Sequence, residues 1–177
     1  MTTTLIPLSG IEGVNYNTTY TAYDQTAAIS STNSPDNPGP PFTVGTVSKG
    51  TGDSEFVFVK AGATINLGDC CIVTSTTQLA NPVTTTLALK GVQVGFAQVP
   101  IANGAFGWLQ RAGACSNINC LAVVQNVQLA ATATPGVLDD VVTVGLKNID
   151  GVVVTTSGGP GVLAGTLNQS VVGITNP

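Results

Sequence analysis

Four cysteines, two pairs of neighbouring acids, one glycine-rich turn and a single tryptophan are the residues of this chain whose types could support chemistry. Cys70 and Cys71 are adjacent, so in a strand their side chains point to opposite faces. Cys115 and Cys120 are separated by Ser-Asn-Ile-Asn. Such a set would serve a structural zinc ion or a disulfide. The chain has no histidine and no C-x-x-C spacing, which argues against zinc. A Cys115–Cys120 disulfide closing a small loop is one alternative. Free thiols buried as small apolar side chains are the favoured reading.

Without histidine, Ser-His and Cys-His nucleophile pairs are excluded. Asp139 and Asp140 are neighbours and diverge in a strand, whereas Asp53 and Glu55 share a face. Both pairs read as solvated strand starts. Glycoside hydrolysis needs two facing carboxylates a set distance apart, and the sequence does not indicate such a pair. Ser157-Gly-Gly-Pro-Gly161 lacks the Lys-Ser/Thr ending and following helix of a phosphate-cradling loop, so it reads as a flexible β-turn loop. No EF-hand spacing is present. Trp108 could offer a sugar-stacking platform, but beside Gly107 in an apolar stretch it reads as a core or interface residue. The expectation is a protein that is not an enzyme and that uses no cofactor or metal.

The elements that would carry these residues are strands. No stretch sustains a 3.6-residue apolar period, and short apolar runs alternate with turn signals, the pattern of an all-β sandwich or barrel. Residues 92–113 form the organising stretch: two apolar arms around Asn103-Gly104, a pair suited to a two-residue hairpin turn. Gly95 and Gly107 inside those arms mark a bulge, a bend or a close backbone approach. Phe96, Phe106 and Trp108 are expected in the barrel core. Asp150-Gly151 reads as a second hairpin turn between strands over residues 141–149 and 152–156. Further strands are predicted over residues 55–60, 70–74, 121–130, 162–167 and 171–175. Residues 75–86, rich in Thr and containing Pro82, read as an exposed loop, and the Cys115–Cys120 stretch as a loop. Ala61-Gly-Ala-Thr-Ile-Asn-Leu-Gly-Asp69 echoes Ala131-Thr-Ala-Thr-Pro-Gly-Val-Leu-Asp-Asp140, and Val94-Gly-Phe-Ala echoes Val172-Gly-Ile-Thr, a weak sign of internal duplication.

Composition bounds the function. The 177 residues suffice for one domain with an extension. Charged residues make up 8%, against roughly 25% in typical soluble domains. A neutral polar surface suits a protein packed against others; lineage bias is the alternative. The net charge of −4 and the scattered basic residues give no footing for nucleic acid. No apolar run is long enough to span a bilayer. The opening MTTTLIPLSGIEG has neither the basic nor the apolar region of a signal peptide, which predicts synthesis in the cytoplasm.

Residues 1–52 differ from the rest, being rich in Thr, Ser, Asn and Pro with the breaker cluster Asn33-Ser-Pro-Asp-Asn-Pro-Gly-Pro-Pro41. They are expected to form a long, mostly irregular N-terminal arm ahead of a small β-barrel or sandwich domain over residues 53–177. Tyr16, Tyr20 and Tyr23 all fall in the arm, and tyrosine is a favoured interface residue. With Phe42 they are the candidate contact residues. The arm rests on a neighbouring chain or folds back to cap its own core.

Taken together, Ala61-Gly-Ala with Leu67-Gly-Asp69, Val94-Gly-Phe-Ala97, Ala105-Phe-Gly-Trp-Leu-Gln110 with Ala112-Gly113, and Ala133-Thr-Pro-Gly136 with Asp140 resemble the capsid decoration (cement, head-stabilising) proteins of tailed bacteriophages. The resemblance covers roughly residues 56–175. It implies a β-rich structural module, often a homotrimer, on the outside of the virion capsid over junctions between major capsid proteins. It also implies an N-terminal arm reaching onto the shell. The length and proline-rich middle of this arm depart from that pattern, leaving open whether it meets capsid, a sister subunit or both. A tail or fibre component of the virion and a carbohydrate-binding β-module are the other readings.

Overall fold

The computed structural model describes residues 16–20, 40, 42–141 and 146–175. The described residues form ten strands and no helix: β1 Val47–Lys49, β2 Glu55–Ala61, β3 Cys70–Val73, β4 Leu79–Pro82, β5 Gln93–Ala97, β6 Phe106–Cys120, β7 Leu129–Ala131, β8 Leu138–Asp139, β9 Lys147–Val154 and β10 Gly161–Thr175. The all-β expectation holds.

The pairings close two rings that share β6. In the first, β2 pairs with β4, β4 with β3, β3 with β5, β5 with β6, and β6 again with β2. In the second, β6 pairs with β8, β8 with β7, β7 with β9, β9 with β10, and β10 again with β6. Each ring has one parallel pairing, β2–β4 and β6–β8, and the rest are antiparallel. Advancing every label of the first ring by four reproduces the second. The described domain is therefore a topological tandem, with β6 closing one ring and opening the next. The sequence echo is out of phase with it. It sets the β2–β3 link against the β7–β8 link, whereas the topology sets the β2–β3 link against residues 121–128.

Strand alternation explains what fills each ring. Val57, Val59, Ala61, Cys71, Val73, Ala80, Ala97 and Leu109 point inward from all five strands of the first ring and meet Ile65 and Ile101. Gly95 and Gly107 lie on this inner face. A β-carbon on Gly95 would stand 2.8 Å from Leu109 Cβ, and one on Gly107 2.7 Å from Ile101 Cδ1. The glycines make room for branched neighbours, a close approach rather than a bulge. The second ring is filled by Ile118, Cys120, Leu129, Leu138, Ile149, Val152, Val154 and Leu167, and this core continues onto Cys70, Ile72, Val94 and Phe96 on the outside of the first ring. Phe96 and Trp108 are fully buried as expected, but both point out of the first ring, and Phe106 is half-buried on the same outer face as Trp108.

Several local expectations change. Asn103-Gly104 does turn, with Ala105 N–H donating to Ala102 O at 3.0 Å and φ positive at Gly104 but not at Asn103. It does not join a tight hairpin. β5 and β6 meet at Ala97 and Leu109, and residues 98–105 swing out to pair Ile101 with Ile65. Asp150-Gly151 lies inside continuous β9. Gly151, with φ of 78°, faces the slip where Leu167 pairs with Val152 and Val171 with Asp150. A positive-φ glycine serves a bulge as well as a turn, which is why the dipeptide misleads. The predicted 162–167 and 171–175 strands are one strand.

The 75–86 loop contains β4, where Pro82 takes the last ladder position opposite Cys71. The cysteine loop is instead the end of β6, and of residues 121–130 only 129 and 130 are strand. The arm boundary also shifts: β1, inside the expected arm, pairs residue for residue with β2 from Val47↔Val57 to Lys49↔Glu55.

β6 changes neighbours at Ala112, which pairs with both Glu55 of β2 and Asn168 of β10. Gly113 has φ of 87°, and a β-carbon there would stand 2.6 Å from Ser54 Cα. The buried Gln110 side chain spans this point, its Nε2 donating to Ala112 O at 3.0 Å and Ala114 O at 2.7 Å. One side-chain amide thus satisfies two main-chain carbonyls.

Candidate functional site

The outer face of β2 and β6 presents Phe56, Phe58, Phe106 and Trp108 as a continuous aromatic wall. Strand alternation puts them there, opposite the small and branched residues of the ring interior. Left bare, such a wall would be a large exposed apolar patch. Two pieces of the N-terminal region cover it. Tyr16 stacks on Phe56 with ring centroids 4.0 Å apart and meets Trp108 edge-on at 5.5 Å. Phe42 meets Phe58 at 5.5 Å and Trp108 at 5.1 Å, and Tyr20 meets Phe58 at 5.9 Å. These offset and edge-on arrangements suit the ring quadrupoles.

Polar groups fix the register. Tyr16 Oη and Ser48 Oγ share a hydrogen bond of 2.9 Å, and the Tyr16 hydroxyl donates to Lys49 O at 3.3 Å. Tyr20 and Phe106 exchange both backbone hydrogen bonds, at 2.8 and 2.7 Å. Lys60 Nζ lies 5.7 Å over the Phe106 ring, a cation–π contact at the rim. Burial raises the Tyr20 phenol above its ordinary range. Trp108 Nε1 is buried and finds no acceptor among the described residues.

Of the predicted contact residues, Tyr16, Tyr20 and Phe42 thus converge on one wall of their own chain, and Tyr23 lies outside the described residues. Tyr16 is 3% exposed, so in this arrangement it is a core residue and not a free contact for a neighbour. The capping arrangement is the one found. The reason is that the wall needs apolar cover, and tyrosine supplies it while its hydroxyl reaches Ser48. Alternation of Phe56, Phe58, Phe106 and Trp108 was the available signal for this wall.

The other candidate groups are satisfied internally. All four cysteines are free and buried. Burial pushes the Cys115 thiol up to about 11 and Cys120 to about 12, and raises Cys70 and Cys71 well above the usual thiol range. Gln98 Nε2 donates to Cys115 Sγ at 3.1 Å. Such thiols are protonated and inert near neutral pH.

Glu55 is buried and paired with Arg111, not solvated, and Asp53 is exposed at φ of 58°. Asp139 Oδ1 accepts the Asp140 N–H at 2.9 Å, and Asp140 Oδ2 accepts the Val124 N–H at 2.7 Å. Ser157 Oγ accepts the Gln125 N–H at 3.0 Å, and Gly158 exchanges backbone bonds with Val123, so the glycine loop is pinned at its first turn. Asp69, 1% exposed, accepts from Asn66 N and Nδ2 at 2.8 and 3.2 Å and from Asn119 Nδ2 at 3.1 Å. It ties the β2–β3 link to β6. Among the described residues no three His, Cys, Asp or Glu side chains are grouped to hold a metal ion.

A second surface feature lies on the far ring. The outer face of β6, β10 and β9 exposes Ala114, Ser116, Val153, Val162, Ala164 and Thr166, with Ala114, Thr166 and Val153 in one cross-strand row. None of these side chains carries charge. Compared with known proteins, the chain matches no family model and no curated sequence.

Proposed function

We propose that this chain is a structural virion protein that binds the outside of a viral capsid and stabilises it against internal pressure, as a cement or decoration protein. The observation that carries the reading is the patch of small uncharged side chains across β6, β10 and β9, Ala114, Ser116, Val153, Val162, Ala164 and Thr166, with Val162 43% and Val153 39% exposed. A face of small neutral side chains desolvates at little electrostatic cost, so it suits packing on another protein's surface. The resemblance of the glycine and small-residue motifs to phage decoration proteins supports the same reading, as does the low overall charge. The partner is the major capsid protein, the assembly a homotrimer, and the place the capsid exterior. Neither nucleic acid nor membrane is involved.

The mechanism is mechanical. Packaged genome presses outward, and a module that buries area on adjacent capsid subunits raises the free energy of separating them. Each contact yields only the surplus over lost freedom and ordering, and many copies on one shell act together. The carbohydrate-binding alternative would need an exposed aromatic platform; Trp108 is fully buried and Tyr16 nearly so, while Tyr20 is half-exposed.

The test is gold labelling of an epitope-tagged chain on particles from a producing lysate. Label spread evenly over heads is expected, and a Thr166→Lys, Val153→Lys chain should label at least tenfold less. Label confined to tails would move the protein to the tail or fibre. Particles without label would overturn the virion reading.

A further inference from the structure

We propose that residues 16–20 are a transferable plug, and that copies of this chain exchange it, each seating the segment on the aromatic wall of a second copy. The two covers of the wall differ in their tethers. Phe42 runs directly into β1 and is locked beside β2 by Gly45 N–H to Phe58 O at 2.7 Å and Phe58 N–H to Thr46 O at 2.8 Å. It belongs to its own wall. Residues 16–20 are joined to Phe42 by 21 intervening residues, 21 to 41. At ~3.3 Å per residue that length spans up to about 70 Å, several times the ~13 Å radius of gyration of a 100-residue domain.

Among the described residues, the plug meets the wall through its aromatic side chains and the Tyr20 to Phe106 bridge. Its contacts are the same whichever copy supplies it. The choice between copies then depends on loop closure and local concentration. Closure entropy grows only slowly with tether length, so a 21-residue tether favours its own wall weakly. In an assembly the neighbouring plug is present at comparable effective concentration, and exchange of an identical element is a low-cost route to oligomers.

The wall also specifies the occupant. It takes an aromatic ring parallel to Phe56, a hydroxyl within reach of Ser48 Oγ, and an extended backbone at Phe106 four residues later. Residues 16–20 meet all three demands, which is why the occupant is a second copy of this chain. This inference does not depend on a capsid, because the purified chain alone should show it.

The experiment replaces Tyr20, at the half-exposed rim, with a benzophenone amino acid in the full chain and irradiates the purified protein at assembling concentration. The expected product runs at twice the chain mass, and its cross-linked peptides join position 20 to the peptide containing Phe106. A Tyr16→Ala substitution in the same chain should reduce that product at least tenfold. A position 20 to Phe106 cross-link found solely at single-chain mass would overturn the proposal, as would a doubled product joined elsewhere.

Discussion

Arg111 reaches Glu55 across the one place where β2 and β6 fall out of register. Phe56 pairs with Gln110 and Glu55 with Ala112, leaving Arg111 as the extra residue. Its Nε donates to Glu55 Oε1, and its Nη1 lies 3.4 Å from Gln93 Oε1 on β5. The side chains are only 18% and 9% exposed, so the pair is poorly screened by salt. It joins three strands at the spot where β6 turns from the first ring toward the second.

Removing one partner of a buried pair leaves the other uncompensated. Glu55→Gln keeps the shape and removes the charge. The substitution should lower stability by about 1–3 kcal/mol, read from the urea midpoint, with little dependence on added salt. An unchanged midpoint would show that the slip is held by the backbone alone.

Tyr16 separates polar from apolar anchoring. Tyr16→Phe loses the hydroxyl contacts with Ser48 and Lys49 and should cost about 1 kcal/mol. Tyr16→Ala also empties the stack on Phe56 and should cost about 3–5 kcal/mol. Trp108 fluorescence reports the difference: it should stay blue in Tyr16→Phe and shift to the red in Tyr16→Ala. Truncation through Pro41 removes Tyr16 and Tyr20 together and should behave like the alanine variant.

The thiols set an alkaline limit. Each is held neutral in the folded chain, with Cys115 pushed up to about 11 and Cys120 to about 12 from an ordinary value of 9.0. A folded value above the unfolded one contributes stability that is complete below the unfolded value and lost as pH rises through the folded value. Stability should therefore be insensitive to these groups below about pH 9 and fall between about pH 9 and 12. At pH 8 the native chain should not react with a thiol reagent, and four thiols should appear on unfolding in guanidinium. Rapid native reaction would mean that a core opens easily, the first if Cys71 reacts and the second if Cys70, Cys115 or Cys120 does.

Two glycines with similar φ should respond differently to alanine. Gly104 has φ of 78° and open space around it, so Gly104→Ala meets only the conformational penalty, about 1 kcal/mol. Gly113 has φ of 87°, and an added β-carbon meets the Ser54 backbone at 2.6 Å. Gly113→Ala adds a clash that backbone must absorb and should cost about 3 kcal/mol or more. Equal midpoints for the two variants would refute the close approach.

The class of fold was legible because it rests on local signals: no helical period, β-branched runs, and frequent turns. Glu55–Ala61 and Cys70–Val73 were read within a residue, since their apolar runs are bounded by clear breakers. What could not be read was set by partners far along the chain. Pro82 looked like a breaker, yet it ends a strand whose ladder lies against Cys71. Asp150-Gly151 carries a turn signature, but its positive φ is spent on a bulge opposite residues 168–170. The sequence reading ends the organising stretch at Gly113 and takes Cys115–Cys120 as a loop, and only its two sets of neighbours make β6 one strand. Composition marks the tyrosines as contact residues without saying for which surface; that Tyr16 and Tyr20 lie on Phe56, Phe58 and Phe106 of their own chain depends on an outer wall whose only sequence signal is strand alternation.

Because β6 lies in both closed rings, neither half can lose its native ladder without breaking a wall of the other. Opening the first ring along β2–β6 frees one side of the strand that seals the second core, and stripping β10 or β8 from β6 does the converse. The described domain should thus behave as a single cooperative unit. Slow amide exchange should extend along the whole of β6 and drop at the same denaturant concentration on both sides of Gly113. A load applied to one end of the molecule would be carried through that strand to the other, with no weak seam between two halves.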